Sequence, residues 1–374
     1  MQMRRVRTDE KEIRRYVEEC WFPYQEEVSE RVGAYSLDDD IDTAAIVEHH
    51  LDELDSPSDR LWVALDDVEG SAVALSETDA TFAGFIRTSV PSIPDRFTWS
   101  ERLRIRDLWV RESDRGSGLA DDLIQRAIQQ AREAGCEELT LRVGTENEQA
   151  VSYFETLGFE EEGLGMNVPL TDVALKRDDR GEARSDVQFR RLRIKDSAID
   201  RFVEECWLPF WEDMGEATGR AYLDSDLDRA ALVEDLSEGY DVPDRRCWIV
   251  LDDPEDETAP LEEMDAEFAG WINAGPEPTE EYLDPAERLF IGNLYVAPGY
   301  RGTGLVDELI ERAMQYAREE GCVEFSLGVE ATNERAKAYY KKLGFESYRQ
   351  KMSVSLDSIE LSCSTTGYGD SSVD

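Results

Sequence analysis

The chain has 374 residues, 85 acidic against 41 basic side chains, a formal net charge of -44, and 41% hydrophobic residues, including 8 Trp, 14 Tyr and 13 Phe. That apolar and aromatic content builds real cores, so an unfolded acidic chain is excluded, and the length allows two or three domains. General nucleic-acid binding is also excluded, because it needs clustered Lys and Arg; only seven of the basic residues are lysine, a balance expected of a salt-rich cytoplasm.

The elements follow in order. "RRVRT" from Arg4 reads as a short strand, and "CWFPYQEEV" from Cys20 lies in a helical region. "RLWVALDD" from Arg60 alternates and is apolar enough for a strand, "TFAGFI" from Thr81 reads as a second strand, and "LRIRDLWV" from Leu103 makes the next. "DRGSGL" from Asp114 opens a helix whose apolar residues at 119, 123, 124, 127 and 128 form one stripe. "ELTLRV" from Glu138 is a strand, and "NEQAVSYFETLGF" from Asn147 is a helix with Asn at its N-cap and Gly158 past its end. "MNVPL" from Met166 closes the series as a strand.

The series is then written again. Cys20 and Cys206, Phe82 and Phe268, Arg115 and Arg301, Asn147 and Asn333, and Gly158 and Gly344 are each 186 residues apart. A period this long is a domain duplication rather than a solenoid unit. The expected organisation is a first domain over 1–175, a charged linker over 176–187, a second domain over 188–361 and a disordered polar tail over 362–374. Each domain has α/β (α+β) order around a mostly antiparallel mixed sheet flanked by helices.

No apolar run reaches the roughly 18 residues of a membrane helix, and no apolar stretch follows the basic N-terminus, so a cytoplasmic protein is expected. The six cysteines (Cys20, Cys136, Cys206, Cys247, Cys322 and Cys363) contain no C-x-x-C pair, and His49 and His50 are the only imidazoles. A Cys/His metal site is not expected; the thiols read as small buried apolar side chains.

The chemistry centres on "RGSGL" from Arg115 and "RGTGL" from Arg301. A strand, a tight two-glycine turn and a helix N-terminus together form an anion site: the first-turn amides lack helical partners and the helix dipole favours negative charge. No G-K-S/T follows, so this is not a Walker loop, and no third glycine makes it a dinucleotide fingerprint. In each copy the order is an L-x-V strand end, R-G-x-G-L, then "GC", a strand, and N-x-x-A-x-x-Y-[FY]-x-x-L-G-F.

That ordered set resembles the GCN5-related N-acetyltransferase (GNAT) superfamily over both copies. The resemblance implies two tandem domains that bind acetyl-CoA, with the diphosphate on the amides of Arg115, Gly116, Ser117, Gly118 and Ala120, and of Arg301, Gly302, Thr303, Gly304 and Val306. It implies strand-like pairing of the pantetheine arm with Leu108–Val110 and Leu294–Val296, and a contact from Asn147 and Asn333, which also read as N-caps. It implies acetyl transfer to an amine by direct attack on the thioester, with Tyr340 as the catalytic acid. The first copy has Phe154 at that position, and the second has the bulkier Val306 where the first has Ala120.

The second copy is therefore expected to be catalytic and the first cofactor-binding or structural; a silent acyl-CoA sensor or scaffold is the alternative. Candidate bases are Asp107, whose counterpart is Asn293, and Glu324 and Glu330. Tyr153 and Tyr339 read as packing residues. An acceptor wall is expected from Trp21, Phe22 and Tyr24 with Glu26, and from Trp207, Phe210 and Trp211 with Glu212. The expected partner is a small-molecule or peptide amine, with no nucleic acid or membrane, acting on a monomer or homodimer.

Overall fold

The computed structural model describes residues 1–31, 42–66, 74–175, 187–192, 199–240, 244–252, 254, 259–277, 288–359 and 361. Nearly all of the charged linker, the tail with Cys363 and most of the acidic run from Leu37 lie outside the described residues. The first copy runs β1 (Gln2–Arg5), α1 (Glu10–Tyr16), a π-helical turn (Val17–Trp21), α2 (Phe22–Arg31), α3 (Thr43–Asp55), β2 (Arg60–Asp66), β3 (Thr81–Ser89), β4 (Arg102–Val110), α4 (Leu119–Glu133), β5 (Glu138–Gly144), α5 (Glu148–Thr156) and β6 (Glu160–Pro169). The second repeats it: β7 (Val187–Leu192), α6 (Ile199–Phe202), a π-helical turn (Val203–Trp207), α7 (Leu208–Thr218), α8 (Arg229–Tyr240), β8 (Arg246–Asp252), β9 (Glu267–Pro276), β10 (Arg288–Val296), α9 (Leu305–Glu319), β11 (Glu324–Glu330), α10 (Glu334–Lys342) and β12 (Glu346–Ser355).

Local chemistry explains several of these elements. Asp9 caps α1, its side chain accepting from the amides of Lys11 and Glu12, so β1 ends at Arg5, short of the expected "RRVRT". "VEECW" is a π turn in both copies, with Phe22 N–H reaching Val17 C=O and Leu208 N–H reaching Val203 C=O. A proline follows at 23 and 209, with no N–H to donate and a ring that crowds the preceding turn; the widened turn accommodates it. The apolar stripe of α4 is buried as expected, with Leu119, Leu123, Ile124, Ala127 and Ile128 all against the sheet. At about 1.5–3 kcal/mol per large buried side chain, that one face anchors the helix.

The strands form one sheet in the order β1-β2-β3-β4-β5-β12-β6-β11-β10-β9-β8-β7. Only β4/β5 and β10/β11 pair in parallel; the other pairs are antiparallel. The copies read from sequence end at 175 and 361, but the sheet is partitioned differently. β6, from the first copy, lies beside β11 (Glu324↔Pro169 to Glu330↔Gly163), and β12, from the second, lies beside β5 (Ser355↔Glu138 to Arg349↔Gly144). The closing strands have exchanged places and pair with each other at the centre. Met352, Val354 and Leu356 accordingly fill the core under α4, and Met166, Val168 and Leu170 the core under α9. Below, the first half means residues 1–159 with β12, and the second means 187–345 with β6.

Among the described residues no helix is long and apolar enough to cross a membrane. Cys20, Cys136, Cys206, Cys247 and Cys322 are buried.

The exchange has a measurable signature. Met352 is 1% exposed, so Met352→Ala should cost about 2–5 kcal/mol. Hydrogen exchange should then show the loss of protection in α4 and β5, 200 residues away in sequence, rather than in α9; protection lost only in the second half would contradict the exchange.

Candidate functional site

Each half contains an opening made by one extra residue. β4 pairs with β5 only from Arg102↔Glu138 to Ile105↔Leu141, and β10 with β11 only from Arg288↔Glu324 to Ile291↔Leu327. At that point the outer partner strand skips a residue: Asp107 pairs with Arg87 but Ile105 with Thr88, and Asn293 pairs with Asn273 but Ile291 with Ala274. Arg106 and Gly292 are the bulged residues, and a bulge bends its strand away from the neighbour. Beyond it the parallel strands separate.

The register also says which backbone groups face the opening. Arg111 N–H donates to Ala83 C=O at 2.9 Å and Ala297 N–H to Ala269 C=O at 2.9 Å. In an antiparallel ladder this makes Val110↔Gly84 and Val296↔Gly270 non-hydrogen-bonded pairs, and Leu108↔Ile86 and Leu294↔Ile272 with them. The peptide groups of Leu108, Val110, Leu294 and Val296 therefore point away from β3 and β9, into the gap.

The glycine turns stand at the mouth of each gap. Gly116, Gly118, Gly302 and Gly304 have φ of 76°, 90°, 78° and 90°, the left-handed region where an L side chain is strained. Gly118 and Gly304 are the N-caps of α4 and α9 and offer no side-chain cap. Among the described residues the amides of Gly116, Gly118, Ala120, Gly302, Gly304 and Val306 have no protein acceptor. Those of Arg115, Ser117, Arg301 and Thr303 close the tight turn onto Glu112, Asp114, Pro298 and Tyr300 carbonyls.

The two turn arginines play a role that the sequence did not suggest. Arg115 donates Nε to Val110 C=O at 3.0 Å and Nη2 to Glu27 Oε1 and Oε2 at 2.5 and 2.6 Å. Arg301 repeats this with Val296 C=O at 3.0 Å and Asp213 Oδ2 at 2.5 Å. Each guanidinium ties the turn to the strand end and to the first helical region, leaving backbone amides as the open donors. The acids involved are Glu27 and Asp213, each one residue after the expected Glu26 and Glu212, which are exposed.

On the last helices, Asn147 Oδ1 accepts from Ala150 N–H at 3.2 Å and Asn333 Oδ1 from Ala336 N–H at 3.0 Å, so both are N-caps. The Nδ2 of Asn333 reaches Met214 Sδ at 3.6 Å. Tyr153 and Tyr339 do more than pack: their hydroxyls donate to Asp121 and Asp307 Oδ1, both at 2.8 Å, tying each last helix to the first turn beyond the glycines. Burial, and then the acceptor carboxylate, raise both phenols well above their ordinary range. Phe154 is buried in the first core against Phe159. Its counterpart Tyr340 is half-buried against the second core, its ring 5.5 Å from that of Phe345. The Tyr340 hydroxyl has no partner among the described residues, and burial pushes the phenol up to about 12.

The face carrying the first helices differs most between the halves. Asp107 accepts from Arg87 Nε at 2.7 Å and from Tyr24 hydroxyl at 3.0 Å, so this candidate base is already held. Arg87 also donates to Glu53, and its Nη1 lies 3.3 Å from His50 Nδ1. The second half has Asn273, Asn293 and Leu236 at the matching positions, with Asn293 N–H donating to Asn273 Oδ1 at 2.5 Å. Glu324 sits at the closed end of β11, held by Arg288 and by Asn167 Nδ2 at 2.8 Å. Glu330 sits at the open end, 3.6 Å from Arg220, with its pKa raised mainly by burial.

The expected aromatic walls are mostly core. Trp21, Trp207 and Phe210 are buried, while Phe22, Tyr24 and Trp211 are half-buried. In the second half the wall gains a ring from the other half: Phe97 packs 5.1 Å from Trp211 and stacks at 4.1 Å on Trp99. Thr98 N–H donates to Tyr222 C=O at 3.0 Å and fixes that crossing.

Comparison with known proteins identifies the family and the fold. The model of the Acetyltransferase (GNAT) family matches residues 16–159 and 211–345, ending in each copy before the exchanged strand. The N-alpha-acetyltransferase MAK3 of Arabidopsis thaliana is 43% identical over 58 residues, 16% of this chain and 30% of that protein. The streptothricin acetyltransferase of Streptomyces lavendulae is 30% identical over 99 residues, 26% of this chain and 49% of that protein. The chain thus spans half or less of the length of these relatives. Among solved structures, a tandem GNAT protein from the clavulanic acid biosynthesis pathway shares the fold at TM-score 0.56 and 14% identity, covering 95% of this chain and 98% of that one.

His50 gives the first half a pH signature. Burial, and then the Arg87 charge, lower it from 6.5 to about 3, so the folded chain keeps it neutral while the unfolded chain protonates it. Stability is therefore complete above pH 6.5 and falls on acidification, by on the order of 2 kcal/mol between pH 6.5 and 5. His50→Leu, the residue found at 236, should flatten that slope in denaturant titrations; an unchanged slope would assign it elsewhere.

Proposed function

Because the chain belongs to the GNAT acetyltransferase family across both of its halves, we propose that it is an acetyl-CoA-dependent N-acetyltransferase that moves an acetyl group to an amine of a small molecule or peptide. The observation that carries this reading is the pairing, in each half, of an unpartnered amide cradle with a strand edge whose peptide groups face the adjoining gap. The cradle amides of Gly116, Gly118 and Ala120, and of Gly302, Gly304 and Val306, suit a diphosphate. The edges at Leu108 and Val110, and at Leu294 and Val296, suit an extended amide-bearing arm added as a strand. Val110 and Val296 carbonyls already accept from Arg115 and Arg301, so Leu108 and Leu294 carry more of that pairing. Asn147 and Asn333, with Oδ1 committed to capping, offer the arm only Nδ2.

Acetyl-CoA, when bound, supplies an activated thioester that an amine can attack directly. The second half is the catalytic one in this reading, because Tyr340 offers a hydroxyl where the first half has Phe154. A phenol near 12 does not hand its proton outright to a thiolate of ordinary pKa, about 8.5; it donates a hydrogen bond to the charge as it develops. Glu330 is the remaining carboxylate suited to take the amine proton. Its raised pKa makes it a better base than an ordinary glutamate, and activity should fall as pH drops through that pKa. The first half holds cofactor or supports the fold.

Two measurements test this. Calorimetry with acetyl-CoA should find a site in the second half that Gly304→Ala weakens by tenfold or more, and a second site weakened by Gly118→Ala would assign the first half to holding cofactor rather than to support; no binding at either would end the reading. Tyr340→Phe should lower kcat by about 10²-fold, at the low end of what one hydrogen-bond donor to a developing charge contributes, with acetyl-CoA affinity unchanged. Full activity in Tyr340→Phe would move catalysis to the first half or to water.

A further inference from the structure

We infer that the first half carries a second anion site: the sheet face opposite α4, around Arg104, binds the oxyanion group of a small molecule, a carboxylate or a phosphate. It is separate from the amide cradle at Gly118 and does not depend on the acetyl-transfer reading.

The first observation is a concentration of cations on one face of a chain whose net charge is -44. Leu103 and Ile105 of β4, Leu139, Leu141 and Val143 of β5, and Met352 and Val354 of β12 all point into the core with α4. Strand alternation then places Arg102, Arg104, Arg142 and Lys351 together on the opposite face. Lys351 is directly across from Arg142, and Arg104 is across from Thr140, one residue before β4 and β5 separate. The bulged Arg106 joins them at the opening and pairs with Glu53 at 2.8 Å.

The second observation is that this concentration is not neutralised at its centre. Arg102 bonds Glu162 at 3.1 Å and Lys351 bonds it at 3.0 Å. Arg104 is half-buried and has no hydrogen-bond or ion-pair partner among the described residues. Its surroundings disfavour the charge, first through burial and then through Arg142, Arg106 and Arg102. Arginine does not escape by losing its proton. Like charges directly across a strand pair are destabilising, as is a half-buried charge without a partner.

The third is internal. The second half has the same strands in the same register, with Phe290 for Arg104, Gly292 for Arg106, Gly328 for Arg142 and Gly165 for Lys351. Gly328 and Gly165 are partners across β11 and β6, as Arg142 and Lys351 are across β5 and β12. Its one retained arginine, Arg288, is locked onto Glu324. The sheet therefore folds without these cations, and the cost of the unpartnered Arg104 in the first half is met by a ligand that neutralises it. Arginine's planar fork fits carboxylate and phosphate oxygens. The distant surface acids are screened from such a ligand beyond roughly 8–10 Å at moderate salt.

The test uses the whole chain, with inorganic phosphate and succinate as probes in separate calorimetric titrations. Wild type should bind at least one of them, and Arg104→Gln should weaken that binding tenfold or more. Arg104→Lys, which keeps the charge without the fork, should fall between. The two probes distinguish a phosphate from a carboxylate ligand, and phosphate held by the amide cradles would survive Arg104→Gln. Without ligand, Arg104→Gln should unfold at or above the wild-type temperature, which shows that the variant is folded. Equal binding by wild type and Arg104→Gln, or no binding of either probe by wild type, overturns the proposal.

Discussion

One extra residue in a strand shapes everything functional in each half. Without the bulge at Arg106 or Gly292, β4 would continue beside β5, and β10 beside β11, and the peptide groups of Leu108, Val110, Leu294 and Val296 would be consumed in the ladder. With it, pairing stops at Ile105 and Ile291, and those groups are left facing a gap at whose mouth the next helix begins. The two halves stabilise the bulge differently. Arg106 is held outward by Glu53, whereas a Cβ at Gly292 would lie 2.5 Å from Asn273 Oδ1. The second bulge is thus restricted to glycine by its own neighbour, and the first is free to carry a charge.

The exchanged closing strands make the two gaps parts of a single object. β5 is bounded on its far side by β12, and β11 by β6, so the backbone that supports each opening comes from the other copy. Phe97 and Thr98 add a second crossing, delivering side chain and backbone from the β3–β4 connection to the aromatic cluster at Trp211 and Tyr222. Two duplicated domains joined only by a linker would move independently by default. A continuous sheet with interleaved cores removes that freedom and holds both openings in a fixed relation.

Much of this was legible in the sequence because it is local. The R-G-x-G-L turn needs left-handed residues followed by a helix stripe, and glycine spacing with Leu119, Leu123 and Ile124 states both. The short apolar runs "TFAGFI" and "EFAGWI", buried on both faces, read as strands whichever neighbours they take. That same indifference hid the exchange: "MNVPL" and "MSVSL" have identical patterns, and nothing in an apolar alternation says which of two equivalent cores it enters. The ties of Arg115 and Arg301 to Glu27 and Asp213 had no signal in the sequence, since nothing in a helix pattern says which of its acids faces a distant turn. The arginine face was invisible for a different reason. Its members come from positions near 104, at 142 and at 351, and only the exchange brings the last of them beside the others.

The duplication also serves as an internal control that a single domain cannot provide. Both halves have the same turn, the same capping asparagines and the same tyrosine-to-aspartate tie between their last two helices, so those features belong to the scaffold and its cradle. Among the positions that differ, several lie at the gap and the face beneath it: Phe154 against Tyr340, Asp107 with Arg87 against Asn293 with Asn273, and Arg104 against Phe290. The strands, register and bulges are alike in both halves, so the shared fold does not dictate the residue at these positions. Their divergence marks them as positions that the fold leaves free. In the proposed reading, it sets the Tyr340 hydroxyl in one half and the cationic face around Arg104 in the other.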